Sequence, residues 1–234
     1  MDTGDLRSSY LRGLRDGAPF ILVIAPFAMV FGVLAKSAGL NVLEALAFSV
    51  AVIAGAAQFT ALQLMQDQAP TLVVLASALA VNLRMAMYSA SLTPYLGHLP
   101  LWKRGVVAYF LVDQAYALAI VKYEREPEMT NGERFAYFVG TITPICPLWY
   151  GFTVIGAMVG AQISLETGLD FAMPIAFLAL IGPALRTGAH GAAALVASVS
   201  ALLFAFLPYN LGLLVAALLG MMAGAEIERR SEAA

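Results

Sequence analysis

Eight apolar segments follow one another along this chain, at roughly 18–36, 43–65, 70–92, 104–122, 134–160, 171–187, 190–206 and 209–224. Nothing else restricts its fold as strongly. A helix of about 20 apolar residues crosses some 30 Å of hydrocarbon, and lipid offers an exposed backbone no hydrogen-bond partners. The segments therefore predict an all-α protein, a polytopic transmembrane helical bundle of seven to eight spans. Charged residues are only 12% of the chain; soluble domains carry about twice that share. No soluble domain of any size is expected.

The separators divide the chain. Residues 1–17, with Arg7, Arg12, Arg15, Asp5 and Asp16, read as a cytoplasmic approach segment and not as a cleavable signal. Residues 18–224 read as one transport domain, and 225–234 as a cytoplasmic tail. The charged loop 123–133 splits the domain into halves of 18–122 and 134–224. Lys and Arg predict orientation. With eight spans, Arg7, Arg12, Arg15, Lys122, Arg125, Arg134, Arg186, Arg229 and Arg230 fall inside, and Lys36, Lys103 and Arg104 outside. Both termini are then cytoplasmic. A seven-span alternative places the C-terminus outside.

Several function classes drop out. Basic residues are scattered, so nucleic acid is not expected. Cys146 is the only cysteine, and His98 and His190 have no second ligand at metal spacing. No disulfide, metal or other cofactor is expected. There is no glycine-rich phosphate loop, so the chain itself does not use ATP.

Four polar or helix-breaking clusters stand out. Arg84 lies within an unbroken apolar stretch, with Asn82 and Tyr88 beside it. A guanidinium at mid-helix costs about 2.5–3.5 kcal/mol on insertion scales, and its planar fork suits a carboxylate. Asp113-Gln114 lies at matching depth in the next segment, so an Arg84–Asp113 pair is allowed. Tyr109 and Tyr116 stand at i−4 and i+3 from Asp113, so the three share one helical face. Gly55, Gln58 and Phe59 sit in a run of small residues, with Gly55 a candidate helix break. Thr141, Thr143, Pro144 and Pro147 interrupt the fifth segment, since each proline removes a backbone donor. Each cluster has a plainer reading: a packing seam, a permanent ion pair or a proline kink. Trp102, Trp149, Tyr150, Tyr95 and Tyr209 read as interface or packing residues. A faint repeat relates Phe31-Gly-Val-Leu-Ala35 to Ile155-Gly-Ala-Met-Val159, and Gly55 to Gly182. Such repeats are common in transporters.

Ala25-Pro26-Phe27-Ala28-Met29-Val30-Phe31-Gly32-Val33-Leu34-Ala35, Ala54-Gly55-Ala56-Ala57-Gln58-Phe59, Asn82-Leu83-Arg84 and Val112-Asp113-Gln114 resemble the AzlC family of branched-chain amino acid permeases. The resemblance covers about residues 15–225. It implies export of branched-chain amino acids across the bacterial inner membrane, with a small AzlD-type membrane partner. Family members commonly have histidine where Met85 stands, glutamate at Gln114 and often serine at Ala57, so two titratable groups are absent here.

The sequence thus predicts a proton-coupled secondary exporter of small zwitterionic amino acids. Arg84 and Asn82 receive the carboxylate; Asp113 takes the ammonium or a proton. Gln58, Gln114 and the Thr141–Thr143–Pro144 break complete the polar wall, and Phe59 meets the side chain. The rivals are an accessory subunit with a structural Arg84–Asp113 pair and, last, an intramembrane enzyme. Ser89, Ser91 and Cys146 lack a histidine at suitable depth for that role.

Overall fold

A computed structural model describes residues 3–160, 187–207 and 211–232. The expected segment at 171–187, together with Gly182, Arg186, Pro208 and Tyr209, lies outside them but for Thr187. The regular elements among the described residues are all helices, as the apolar segments demand. Among them, Asp5–Ser37, Thr71–Leu96, Asn131–Gly160 and Leu211–Ser231 are long and apolar enough to cross a membrane. The chain divides into two compact units, Met1–Phe59 with Val81–Leu165, and Thr60–Ala80 with Glu166–Ala234.

In the first unit, α1 (Thr3–Gly17) passes through a tight turn at Ala18–Phe20 into α2 (Ile21–Ser37). Gly39, at φ 90°, ends α2, with Leu40 N–H returning to the Ala35 carbonyl. Asn41 and Glu44 form a reciprocal cap that starts α3 (Val42–Ala51). Extended Val52 breaks that helix, and α4 (Gly55–Gln66) begins three residues later. The break predicted at Gly55 is therefore present. After α5 (Thr71–Leu96) come α6 (Leu101–Tyr109) and α7 (Asp113–Arg125), separated by Phe110–Val112. A second reciprocal cap, Thr130 with Glu133, starts α8 (Asn131–Ile142), and the predicted proline break leads into α9 (Cys146–Gly160).

Two glycine crossings hold this unit together. A Cβ at Gly32 would stand 2.2 Å from the Thr153 carbonyl oxygen, and one at Gly156 would stand 2.1 Å from that of Met29. The same reciprocity joins Gly13 to the Tyr137 carbonyl and Gly140 to that of Tyr10, each at 2.2 Å. Only glycine permits such backbone approach, the close packing that substitutes for a hydrophobic driving force in lipid. Gly17 lies on Pro144 and Gly160 on Val33, so α1 runs parallel to α8, and α2 to α9. The faint sequence repeat thus falls on two broken helices that cross each other reciprocally.

The remaining broken pairs double back. Four residues separate α2 from α3, which brings Phe48 against Phe31. α4 then leaves in the direction of α2, with Gly55 against Phe27 and Phe59 against both Phe27 and Phe31. Similarly, α7 runs parallel to α5 through the pairs Arg84–Asp113, Tyr88–Tyr116 and Tyr95–Tyr123. The nine-residue α6 must return towards mid-membrane first, rising only about 13 Å.

This corrects two expectations. The stretch 104–122 is not one continuous helix, so Tyr109 does not share a face with Asp113 and Tyr116. In addition, Lys103 and Arg104 are not across the membrane from Lys122, Arg125 and Arg134. Lys103 Nζ lies 4.8 Å from the Phe135 ring, and the Arg134 guanidinium lies 5.4 Å from Tyr95 and 6.0 Å from Tyr123. Arg12 binds Glu126 at 3.0 Å. All these cations gather at the α1 end of the unit. The reason is that α6 and α7 together return to the side they came from.

In the second unit, Thr187 caps α10 (Gly188–Leu203), which packs antiparallel on α11 (Leu211–Glu232). Gly220 lies against Ala193 and Ala197, and Gly212 against the Phe204 carbonyl.

Candidate functional site

Arg84 is the fourteenth of the 26 residues of α5, about 20 Å along its axis from Thr71. That is mid-membrane depth for a helix of this length. Its Nη2 lies 3.1 Å from Asp113 Oδ2. The predicted pair therefore forms, though through a half-helix running beside α5 and not through a hairpin partner. Asp113 occupies the first turn of α7, where the helix macrodipole favours an anion. One carboxylate thus answers two positive features, the guanidinium and the helix N-terminus. Tyr88 stacks on Tyr116 with ring centroids 4.1 Å apart, and the Tyr116 hydroxyl donates to Ser91 Oγ at 3.1 Å. The stack fixes α5 against α7 one turn beyond the pair.

The second break lies nearby, held by Tyr109. From the last residue of α6, its hydroxyl donates to the Val50 carbonyl at 2.7 Å and lies 3.3 Å from the Tyr150 hydroxyl. Val50 is one residue from the end of α3, where carbonyls lose their helical partners. The two re-entrant tips are therefore tied to each other and to α9. Gly55, at the start of α4, has no room for a side chain: a Cβ would stand 2.5 Å from the Phe27 ring and 3.1 Å from Trp149.

Gln58 is fully buried. Its Nε2 donates to Ser49 Oγ at 3.0 Å, which in turn shares a hydrogen bond of 3.1 Å with Thr153 Oγ1. This chain of three buried polar groups joins α4, α3 and α9. Phe59 is also fully buried, its ring 4.8 Å from that of Phe27.

Polar atoms without partners collect around these tips. Gln58 Oε1, Asn82 Oδ1, Arg84 Nε, Asp113 Oδ1 and Trp149 Nε1 are all buried with no hydrogen bond. An unmet buried polar group costs about 1–3 kcal/mol, so five in one membrane core mark a place where further polar groups are needed. Arg84 and Asp113 side chains keep 31% and 41% of their surface open, enough for such groups to approach.

Asn82 stands two residues before Arg84 on α5, turned to another face of the helix. The structure brings Arg84 to Asp113 and Gln114 at one break, and Gln58 and Phe59 to the other. It does not bring Thr141, Thr143 and Pro144 to either. Thr141 is fully buried and its hydroxyl donates to the Phe138 carbonyl; that of Thr143 donates to the Val139 carbonyl and accepts from Tyr10. Pro144 packs on Gly17, which follows Asp16 in α1. Those residues meet their own broken backbone and seat α1. Ser49 and Thr153 escaped the sequence reading, while Tyr109, Tyr150 and Trp149 were noted there without a place in the site. Hydroxyls and aromatics are ordinary in membrane helices, and only the folded tips show which ones lie at mid-depth. Among the described residues, no group of His, Cys, Asp and Glu is placed to hold a metal ion.

The AzlC protein family matches residues 19–163, well over half of the chain. The chain belongs to the AzlC family. It is 28% identical over 216 residues to an uncharacterized membrane protein of Archaeoglobus fulgidus, covering 90% of this chain and 92% of that one. It is 26% identical over 182 residues to the inner membrane protein YgaZ of Escherichia coli, covering 74% and 72%. A membrane protein of Helicobacter pylori is 27% identical over 176 residues, covering 73% and 75%. No solved structure matches the chain. The family match spans both re-entrant tips, Arg84 and Asp113. The relatives establish a membrane protein of this family.

Proposed function

We propose that this AzlC-family protein is a secondary transporter that exports branched-chain or related small zwitterionic amino acids across the bacterial cytoplasmic membrane. The observation that carries this reading is the set of five unpartnered polar atoms around two re-entrant tips. Membrane proteins place interrupted helices and unmet polar groups where they line a cavity or a path. A substrate carboxylate would compete with Asp113 for Arg84 and for the N-terminus of α7. The ammonium or a coupling proton would then go to the released Asp113 carboxylate. Asn82, Gln114 and Gln58 supply further polar contacts, and the Phe27–Phe59 pair faces the aliphatic side chain. On this reading the threonines of the α8–α9 break belong to the scaffold.

Orientation follows from charge. The α1 end of the first unit gathers Arg7, Arg12, Arg15, Lys103, Arg104, Lys122, Arg125 and Arg134, while Lys36 lies at the opposite end of α2. The positive-inside rule makes the α1 end cytoplasmic. A small AzlD-type subunit accompanies the chain. The formed 3.1 Å ion pair favours one rival, an accessory subunit in which Arg84–Asp113 is only structural. Cells that lack or overproduce the chain, loaded with leucine-, valine- or alanine-containing dipeptides, separate these readings. Faster release of branched-chain amino acids on overproduction supports export; unchanged release of every amino acid overturns it.

A further inference from the structure

The turn at residues 97–100 makes a hairpin of α5 and α6, and a groove of about 380 Å³ lies between its arms in the first unit. Its floor is apolar: Leu92, Leu96, Val107 and Leu111, all buried. Its rims are exposed, with Ser89 and Thr93 on α5 and Gly105 and Ala108 on α6. From Ser89 to Gly97 the groove follows α5 for about 12 Å by helical rise. Gly97, Leu101 and Arg104 stand at its cation-rich end, and Ser89 and Leu111 at its deep end. The walls offer little to a polar ligand, since the Thr93 hydroxyl is already donated to the Ser89 carbonyl at 2.8 Å. The charge is at the mouth. Arg104 is exposed there and makes no ion pair among the described residues, whereas Lys103 beside it lies over the rings of Trp102 and Phe135. Trp102 itself is 64% exposed, as an aromatic at the membrane–water interface is.

We propose that this groove binds one anionic phospholipid from the leaflet at the α1 end, with an acyl chain on the apolar floor and the phosphate against Arg104. Such a site follows from the membrane placement of the chain and does not depend on the transport reading. Three features fit that ligand. The planar guanidinium matches a phosphate bidentately, and basic groups on the cytoplasmic side attract anionic head groups. The floor is apolar along its length, as hydrocarbon requires and a water-filled path does not. Gly105 has open space where a Cβ would stand, so with Ala108 it keeps the α6 rim low enough for a chain to enter. A zwitterionic lipid suits the same floor but brings its own cation to Arg104, and like charges repel. A free anion has no use for the floor.

The test is native mass spectrometry of the full-length protein, incubated with phosphatidylglycerol or with phosphatidylethanolamine of the same acyl chains. We expect one phosphatidylglycerol to stay bound under conditions that strip phosphatidylethanolamine. Arg104→Gln should weaken phosphatidylglycerol by about fivefold and leave phosphatidylethanolamine unchanged. Gly105→Leu and, separately, Ala108→Trp fill the groove from its rim and should lose both lipids while still melting cooperatively; Gly105→Leu enters open space and puts a better helix former in α6. Equal retention of the two lipids, or phosphatidylglycerol undiminished by Arg104→Gln, would overturn the proposal. So would phosphatidylglycerol held by the folded groove-filling variants, which would mean a head group adsorbed without its chain. Displacement by glycerol phosphate would mean a site for free anions and would overturn it too, as would a folded wild type that retains no lipid, whose groove is then closed by protein.

Discussion

The Arg84–Asp113 pair either only holds the fold together or also binds substrate, and a double-mutant cycle distinguishes these. The variants are Arg84→Gln, Asp113→Asn and the two combined. Two unit charges 3.1 Å apart attract by roughly 5 kcal/mol at an effective dielectric of 20, and desolvation opposes that attraction. Breaking a fully buried pair costs about 3–5 kcal/mol, because the survivor is left unpaired; exposed pairs give about 0–1. With a third of each side chain open, a coupling of about 2 kcal/mol is expected. Asp113→Asn should be the worse single change, since it leaves a guanidinium against the positive end of α7. The double variant should regain most of the lost stability in an unfolding titration in bicelles. The two roles separate in liposomes: the double variant should be folded and should release no branched-chain amino acid above background. A folded double variant with wild-type efflux would refute the reasoning and leave the pair a structural clamp.

Three further outcomes follow from the fold. Gly156→Leu forces side-chain carbons into the Met29 carbonyl, where even a Cβ would stand at 2.1 Å; overpacking of this kind costs about 1–3 kcal/mol or more, and the full-length protein should melt markedly lower, while Gly151→Leu, in open space on the same helix, should not. Tyr109→Phe removes the hydrogen bond to the Val50 carbonyl, worth about 1 kcal/mol, and should change efflux kinetics more than melting temperature; equal loss of both would mean that the tie is only structural. Glu126 has its carboxyl held below the ordinary 4.5, first by its hydrogen bond from Lys122 and also by Arg12. A depressed carboxylate contributes stability above its unfolded value and loses it as pH falls through the folded one, so acidification from pH 6 to 3 should destabilise the wild type more than Glu126→Gln; parallel melting curves would contradict this.

What the sequence made legible was the solvent and the charges. Apolar segments of membrane length leave helices as the spanning form. A charge such as Arg84 or Asp113 declares itself there because its cost demands a partner. Gly55 declared the first break because glycine weakens a helix. The break at Phe110-Leu111-Val112 carries no glycine or proline, and apolar residues read equally well as continuous helix. Only the pairing of α7 with α5 reveals it. Missing it sent Lys103 and Arg104 to the wrong side and put Tyr109 on the wrong face. The repeat was faint because aliphatic residues exchange freely in lipid-facing positions, while Gly32 and Gly156 persist where backbones touch. The Thr141–Pro147 cluster was read as a break, but its neighbour on α1, Gly17, is remote in sequence and left no trace there. Gln58 stood out as an amide among apolar residues, but its partners Ser49 and Thr153 gave no signal, being common residue types whose role depends on which helices end beside them.

The central claim is that Arg84, facing Asp113 between two re-entrant tips, binds the carboxylate of an aliphatic amino acid. Calorimetric titration of the full-length protein in nanodiscs tests it most directly, using L-leucine, L-leucinamide and isovalerate in turn. The account predicts that leucine binds, that leucinamide, which lacks the carboxylate, does not, and that Arg84→Ala abolishes leucine binding while the protein still melts cooperatively. Leucine binding of unchanged affinity in folded Arg84→Ala, or equal binding of leucine and leucinamide by the wild type, would contradict it.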